Sequence, residues 1–166
     1  MWLPFDLHPE YPPEGIPRAQ LHARYGERMH DHVRAMFEDE GLVYAPPADV
    51  VPNTLKALRL TELARDRGLH EPMHDRLMDA YWAESQDLGD DETLRGLAAE
   101  VGLDRGEVDA VIASDEYRDR VLASTAQAQA LGINGIPAFL VDERMLLLGA
   151  QPREVFERAF AQLDGV

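Results

Sequence analysis

Gly135-Ile136-Pro137-Ala138-Phe139-Leu140-Val141 is a turn running into a strand, and its geometry is dictated by one proline. The residue before a proline is driven out of the helical region, so Ile136 is extended and leads into the strand. Pro137 has no N–H to give to a ladder and belongs at the strand's first position, with Ala138 to Val141 as a buried apolar run behind it. Upstream, residues 116–131 place Tyr117, Val121, Leu122, Ala126, Ala128 and Leu131 close to the helical period, and Gly132 stands where a left-handed C-terminal cap is wanted. Ile133-Asn134-Gly135 is turn chemistry between the two. Downstream, Asp142-Glu143-Arg144 is a polar turn and Met145-Leu146-Leu147-Leu148 a second apolar run, which predicts a hairpin. Gly149-Ala150-Gln151 breaks the pattern, and Pro152 opens a last helix where its missing N–H costs nothing. Val155, Phe156, Ala159, Phe160 and Leu163 form one stripe of that helix, expected to cover a sheet face.

The middle of the chain predicts helices. Residues 21–40 carry Tyr25, Met29, Val33, Met36 and Phe37 on one face and stop at Gly41; residues 54–67 carry Leu55, Leu58, Leu60, Leu63 and Ala64, with Asn53 as N-cap and Gly68 as terminator. A third helix spans 72–84 through Leu77, Met78, Tyr81 and Trp82. A fourth spans 92–101, capped by Asp90 or Asp91, and a fifth 104–113. These stripes read as core packing. At the start, residues 2–10 alternate large apolar residues with others and predict a strand, with Asp6 out of pattern. The stretch Tyr11-Pro12-Pro13-Glu14-Gly15-Ile16-Pro17 reads as irregular loop.

Sixteen basic against 31 acidic residues give a net charge of −15 spread along the helices, a field that repels nucleic acid and anionic membranes, so neither is expected as a partner. At 166 residues the chain is expected to be one domain, large enough to bury roughly 70% of its unfolded surface. No apolar run approaches the ~20 residues that cross a bilayer, and residues 1–7 lack the pattern of a signal peptide, which makes the cytoplasm the default location. The sequence has no cysteine. That excludes disulfide staples and every thiol mechanism within this polypeptide.

Other chemistry is thinly represented. His70-Glu71-Pro72-Met73-His74 matches a zinc-protease pattern that needs both imidazoles one turn apart on a continuous helix. Pro72 is expected to start the helix and leave His70 in the preceding loop, and no third ligand is found at a familiar spacing, so no metal is expected. His30 and His32 sit on different helix faces and are expected in solvent, and His22 carries no signal either. Asp87, Asp90, Asp91 and Glu92 read as a loop and an acidic first turn. Ser114, Ser124 and Thr125 lack a nucleophile elbow, there is no phosphate-binding glycine loop, and no cofactor is implied.

The order helix, Ile-Pro, hairpin, amphipathic helix resembles the second half of a thioredoxin domain, in which the proline is cis. Phe5-x-Leu7-x-Pro9-x-x-Pro12-x-x-Gly15 resembles the strand and loop of the DsbA family, specifically its FrnE-like branch, which is related to 2-hydroxychromene-2-carboxylate isomerases and kappa-class glutathione transferases. Pro52-Asn53-Thr54-x-x-Ala57-x-Arg59-Leu60 and Ala80-Tyr81-Trp82 are similar to two stretches of that branch's helical insertion. Leu58 departs from the histidine common in the family.

The resemblance implies an α/β, incomplete thioredoxin-like (DsbA-like) fold with a large helical insertion. Residues 1–17 would be strand and loop, 18–131 the insertion, and 132–166 the Ile-Pro loop, hairpin and final helix. It implies a thiol-disulfide oxidoreductase or isomerase class, with Gly135, Ile136 and Pro137 holding an extended peptide or a glutathione-like thiol, and no catalytic residue among those present. The family's first strand and Cys-x-x-Cys helix are expected to be lacking. Residues 2–7 and Ala138 to Val141 would then face a gap, closed by rearranged pairing, by a separate fragment, or by a second copy in a homodimer, the last being favoured because it also covers the apolar face. Two further readings are a non-catalytic binding or oligomerisation module and a kappa-transferase-like protein missing its nucleophile helix.

Overall fold

In a computed structural model, residues 1–26 and 28–164 are described, except for the side chains of Arg24, Tyr25, Arg28, Met29, His30, His32 and Asp164. The expectations for Tyr25, Met29, His30 and His32 therefore lie outside the described side chains. Over the described residues the chain is a mixed α/β fold, mostly helical, with two small antiparallel sheets.

The elements run in the order β1 (Ile16–Pro17), α1 (Arg18–Tyr25), α2 (Arg28–Asp39), β2 (Val50–Val51), α3 (Leu55–Asp66), α4 (His70–Trp82), α5 (Asp91–Glu100), α6 (Arg105–Ala113), α7 (Arg118–Ala130), β3 (Ala138–Val141), β4 (Met145–Leu148) and α8 (Arg153–Asp164). The single helix expected over 21–40 is two, because Gly26 takes φ +83° and ends α1. Asp90 caps α5 by accepting from Thr93 N at 2.7 Å, and Asp104 caps α6 by accepting from Glu107 N at 3.0 Å. Each supplies an acceptor to an otherwise orphaned first-turn amide. The N-cap of α3 is Thr54, not Asn53 as expected; Asn53 stands one residue before it, and its Oδ1 accepts from Leu55 N at 3.0 Å in a local side-chain turn.

Helix α4 begins at His70, two residues before Pro72, which corrects the expectation that His70 lies in a loop. Pro72 is tolerated in the first turn because N–H groups there have no intrahelical partner to lose. His70 and His74 consequently share one helix face, with parallel rings whose centroids are 6.3 Å apart.

The main core lies among α3, α4, α5 and α6, where Leu60, Leu63, Met73, Leu77, Leu94, Leu97, Val108 and Val111 are buried. Each such side chain contributes roughly 1.5–3 kcal/mol through burial. Arg59 fastens this core to the α6–α7 connection: its Nε donates to Glu116 O at 2.7 Å, and its Nη2 donates to Val111 O and Ser114 O. These carbonyls close the C-terminal end of α6, where a cation also complements the helix dipole. They fix the turn into α7, where Tyr117 sits at φ +62° and donates from Oη to Asp66 Oδ2 at 3.1 Å. On α7 the buried residues are Val121 and Thr125, whereas Leu122 and Leu131 are exposed, a correction to the stripe read from periodicity.

A smaller cluster of Tyr11, Leu21 and Val51 lies under the β1–β2 pair, in which Ile16 faces Val51 and Pro17 faces Val50. This short ladder stands where the proline-rich stretch predicts loop. The pairing depends on Gly15, at φ +76°, where a Cβ would come within 2.4 Å of Val51 O. It depends also on Arg18, whose N donates to Asp49 O at 2.7 Å and whose guanidinium reaches Ala48 O and Val50 O.

Residues 2–7 do not form a strand, contrary to the alternation. Asp6, the residue out of pattern, is buried at 4% exposure, while Leu3 and Leu7 face outward. The physical reason is a side-chain anchor in place of a ladder: Asp6 N donates to Thr125 Oγ1 at 2.9 Å, and Thr125 Oγ1 donates to Val121 O at 3.0 Å. No ladder joins residues 2–7 to β3 among the described residues, but Trp2 reaches Phe139 edge-on, with ring centroids 6.5 Å apart. Among the described residues no helix is long and apolar enough to cross a membrane.

Candidate functional site

Helix α7 ends in a Schellman arrangement: Gly132 takes φ +83°, its N–H donates to Gln129 O at 2.9 Å, and Ile133 N donates to Ala128 O at 3.0 Å. Ile133 is buried and pins the exit from the helix. Asn134 and Gly135 turn the chain, Ile136 is 56% exposed, and the Ile136–Pro137 peptide is cis. Pro137 stands one residue before β3, and its carbonyl accepts from Gly149 N at 2.8 Å, closing the base of the hairpin.

The hairpin has the register expected of the two apolar runs, Ala138 opposite Leu148 and Val141 opposite Met145. Its tip is turned by Asp142 and Glu143, both at φ +52°, a left-handed pair whose twist suits a two-stranded ribbon. The run Ala138 to Val141 is not buried as the sequence suggested: its residues are half-buried, and Leu140 is 50% exposed. Only β4 pairs with β3 among the described residues, so the sheet is too narrow to bury either face completely. Helix α8 covers part of one face by setting Phe156 edge-on to Phe139, with centroids 5.0 Å apart. Ala159 is buried on that helix, but Phe160 turns outward at 49% exposure, a second departure from the expected stripe.

Three sequence-separated segments meet beside β3, which no local pattern foretold. The Trp2 indole stacks on the His74 imidazole, centroids 4.6 Å apart and planes 17° from parallel, with its edge toward Phe139. His70 Nε2 lies 2.7 Å from Arg65 Nη2 and, facing a guanidinium donor, acts as the acceptor. The same Arg65 Nη2 donates to Trp2 O at 2.6 Å, and Arg65 Nε donates to the buried Glu62 carboxylate at 3.1 and 3.2 Å. Burial holds His70 below the ordinary imidazole range, and the Arg65 charge adds to the depression. Burial lowers His74 as well, against a weaker opposing pull from Asp75.

The His-Glu-x-x-His pattern therefore sits on one helix face after all, but its donors are committed elsewhere. The Nε2 lone pair of His70 is taken by Arg65, His74 is covered by an indole, and no group of three ligating side chains comes together among the described residues. The acidic run 87–92 is likewise structural. Asp87 Oδ1 accepts from Gly89 N, Asp91 pairs with Lys56 at 2.5 Å, and Glu92 pairs with Arg95 at 2.6 Å. A cleft of about 360 Å³ between the N-terminal segment and the α3–α7 pair is lined by Leu3, Pro4, Glu62, Arg65, Arg120 and Ser124. Glu62 there is bracketed by Arg65 and Arg120, and neither Ile136 nor Pro137 lines the cleft.

Known proteins share this fold. Among solved structures, the chain matches the crystal structure of a probable DsbA oxidoreductase, SCO1869 from Streptomyces coelicolor, at 35% identity and a TM-score of 0.88, over 97% of this chain and 73% of that one. A putative protein disulfide isomerase from Nitrosomonas europaea shares the fold at 18% identity and a TM-score of 0.64, over 81% of this chain and 71% of that one. Among curated proteins, the uncharacterized protein YwbO of Bacillus subtilis (strain 168) is 26% identical over 162 residues, 96% of this chain and 80% of its own length. The family model of the DSBA-like thioredoxin domain matches residues 1–161, and the chain belongs to that family.

Proposed function

We propose that this chain is a FrnE-like member of the thiol-disulfide oxidoreductase and isomerase class that holds substrate but does not itself exchange disulfides. The observation that carries the reading is the conjunction of a DsbA-like domain over residues 1–161 with a sequence devoid of cysteine. Exchange starts with attack of a thiolate on a disulfide sulfur, and no residue of this sequence offers one. The binding role falls to Gly135, Ile136 and Pro137. The backbone at Ile136 would pair with an extended peptide or a glutathione-like thiol in the manner of an added strand. Exposure of Ile136 and the single-sided pairing of β3 among the described residues support this role.

A homodimer belongs to the same proposal. Leu140, Leu148 and Phe160 are each 45% exposed or more, an apolar area beside the Ile136 site that a second copy would remove from water. The test of activity is insulin reduction by dithiothreitol with the purified chain. Turnover at the uncatalysed rate is expected, and turnover above it overturns the inactivity. Binding is read separately from amide shifts of Gly135 and Ile136 on addition of reduced glutathione or a cysteine-free extended peptide, and their absence with both ligands removes the holding role.

A further inference from the structure

The sequence has two asparagines, Asn53 and Asn134, and the fold treats them in opposite ways. Asn53 is tied at both ends of its amide: Nδ2 donates to Tyr11 O at 2.8 Å, and Oδ1 accepts from Leu55 N at 3.0 Å. The residue after it is the β-branched Thr54, which crowds its own backbone nitrogen. Asn134 is exposed, and Gly135 follows it. Among the described residues neither the Asn134 side chain nor the Gly135 N–H has a hydrogen-bond partner. A Cβ added at Gly135 would meet nothing within 4 Å, so the space beside its backbone is open as well. The carboxamide carbon of Asn134 and the backbone nitrogen of Gly135 are an electrophile and a nucleophile that close a five-membered ring, and no neighbour holds them apart.

We infer that Asn134-Gly135 is a self-modification site, at which the loop leading to Pro137 acquires a carboxylate without an enzyme. The Gly135 nitrogen gives its proton to hydroxide and forms a bond to Asn134 Cγ; the Cγ–Nδ2 bond breaks, and ammonia leaves behind a succinimide. Glycine carries no Cβ to shield that nitrogen. Water then opens the ring. Cleavage at Cγ gives aspartate on the original backbone, whereas cleavage at the main-chain carbonyl gives isoaspartate, whose backbone is one methylene longer. Both products alter the loop. No charged residue lies between Arg120 and Asp142, in a chain that is 28% charged. A carboxyl group with a pKa of about 3.9 is ionised at neutral pH, so the modification brings the first charge into that stretch. The longer backbone is confined at both ends. Ile133 is buried with its N–H on Ala128 O at 3.0 Å, and Pro137 O accepts from Gly149 N at 2.8 Å. Only residues 134–136 lie between these anchors, so the extra methylene displaces Ile136. Any effect on ligand rests on the holding role proposed above, and the modification itself does not.

Trypsin releases residues 121–144 as one peptide, which holds Asn134 and not Asn53. After the folded protein is aged at pH 8, fragmentation mass spectrometry of that peptide should place an amide-to-acid change at position 134. The rate should lie within a few fold of that in guanidinium chloride and fall severalfold at pH 6. Asn53 should keep its amide throughout. Gly135→Val should suppress the change at 134, and in the isoaspartate form the Ile136 amide resonance should move while that of Ile133 stays. An intact Asn134 in the folded protein, under conditions that convert the unfolded chain, would overturn the site. An Ile136 resonance unmoved in the isoaspartate form would overturn the displacement. Binding of reduced glutathione, an anion, should be severalfold weaker for Asn134→Asp than for Asn134→Gln. Equal binding would overturn the charge effect, whereas no binding by parent or variants would remove the holding role alone, since the mass change is read without ligand.

Discussion

The backbone N–H of Asp6 donates to the hydroxyl of Thr125 at 2.9 Å, joining positions 119 residues apart and burying the Asp6 carboxylate. Burial is the largest influence on that carboxylate and pushes its pKa up, partly offset by a hydrogen bond from the backbone of His8. The folded chain therefore holds this proton more tightly than the unfolded chain. The site contributes most stability below the unfolded value near 3.9, and that contribution is lost as pH rises through the folded value. Asp6→Asn keeps the His8 hydrogen bond without the charge. Its melting temperature should exceed the parent's at pH 7 and approach it at pH 4, in paired thermal scans.

Thr125→Val keeps the shape of the side chain and removes the acceptor for Asp6 N. A buried donor left without a partner costs about 1–3 kcal/mol, and for a domain of this size each kcal/mol lowers the melting temperature by roughly 2–4 °C. Urea denaturation should show that loss with an unchanged m-value.

Arg59 is 4% exposed and satisfied by three carbonyls of the α6–α7 turn. Arg59→Met should destabilise the chain by about 2–4 kcal/mol, since hydrogen bonds to a charged group are worth roughly 1.5–3 kcal/mol each and the carbonyls lose their donors. Arg59→Lys should recover little, because a point ammonium cannot serve carbonyls set out for a planar fork. Guanidinium melts of the two variants would measure both effects.

The hairpin and α8 are joined through Phe139 and Phe156, while the most deeply buried side chains belong to α3–α7. Amide exchange should accordingly be faster in β3, β4 and α8 than in α3–α6, as expected where few apolar contacts are buried. Phe156→Ala should widen that difference. A double-mutant cycle with Phe139→Leu should give a coupling of about 0.5–1.5 kcal/mol, the range for edge-on aromatic pairs.

Phe160 lies one turn beyond Phe156 on α8 and is 49% exposed. If the outward apolar face is where two copies meet, Phe160→Arg should change light-scattering mass from twice 18.6 kDa to 18.6 kDa. Monomer stability should move by no more than about 0.5 kcal/mol, as for surface substitutions generally. A parent protein that already scatters as a monomer would remove the dimer.

Helix ends and the hairpin are legible from residues alone because their causes are local. Gly132 ends α7, Asp90 and Asp104 start α5 and α6, and Pro137 sets the entry to β3 through preferences acting within four residues. The break at Gly26 is also a local event, yet the apolar stripe on both sides runs through it and disguises it. Pro72 misleads for the opposite reason. Its bias toward starting a helix hides the first turn's tolerance for a missing N–H, and with it the shared face of His70 and His74.

What the amino-acid sequence determined unaided is the succession of helices, the Ile-Pro turn and the two-stranded ribbon, together with the lack of any sulfur nucleophile. Tertiary structure alone decided that residues 2–7 are tied by Thr125 and Arg65 instead of by a ladder, that Ile16 meets Val51, and that Trp2, Arg65, His70, His74 and Phe139 share one neighbourhood. Those choices rest on partners tens of residues or more away, whose placement depends on the packed core and not on the spacing of nearby side chains.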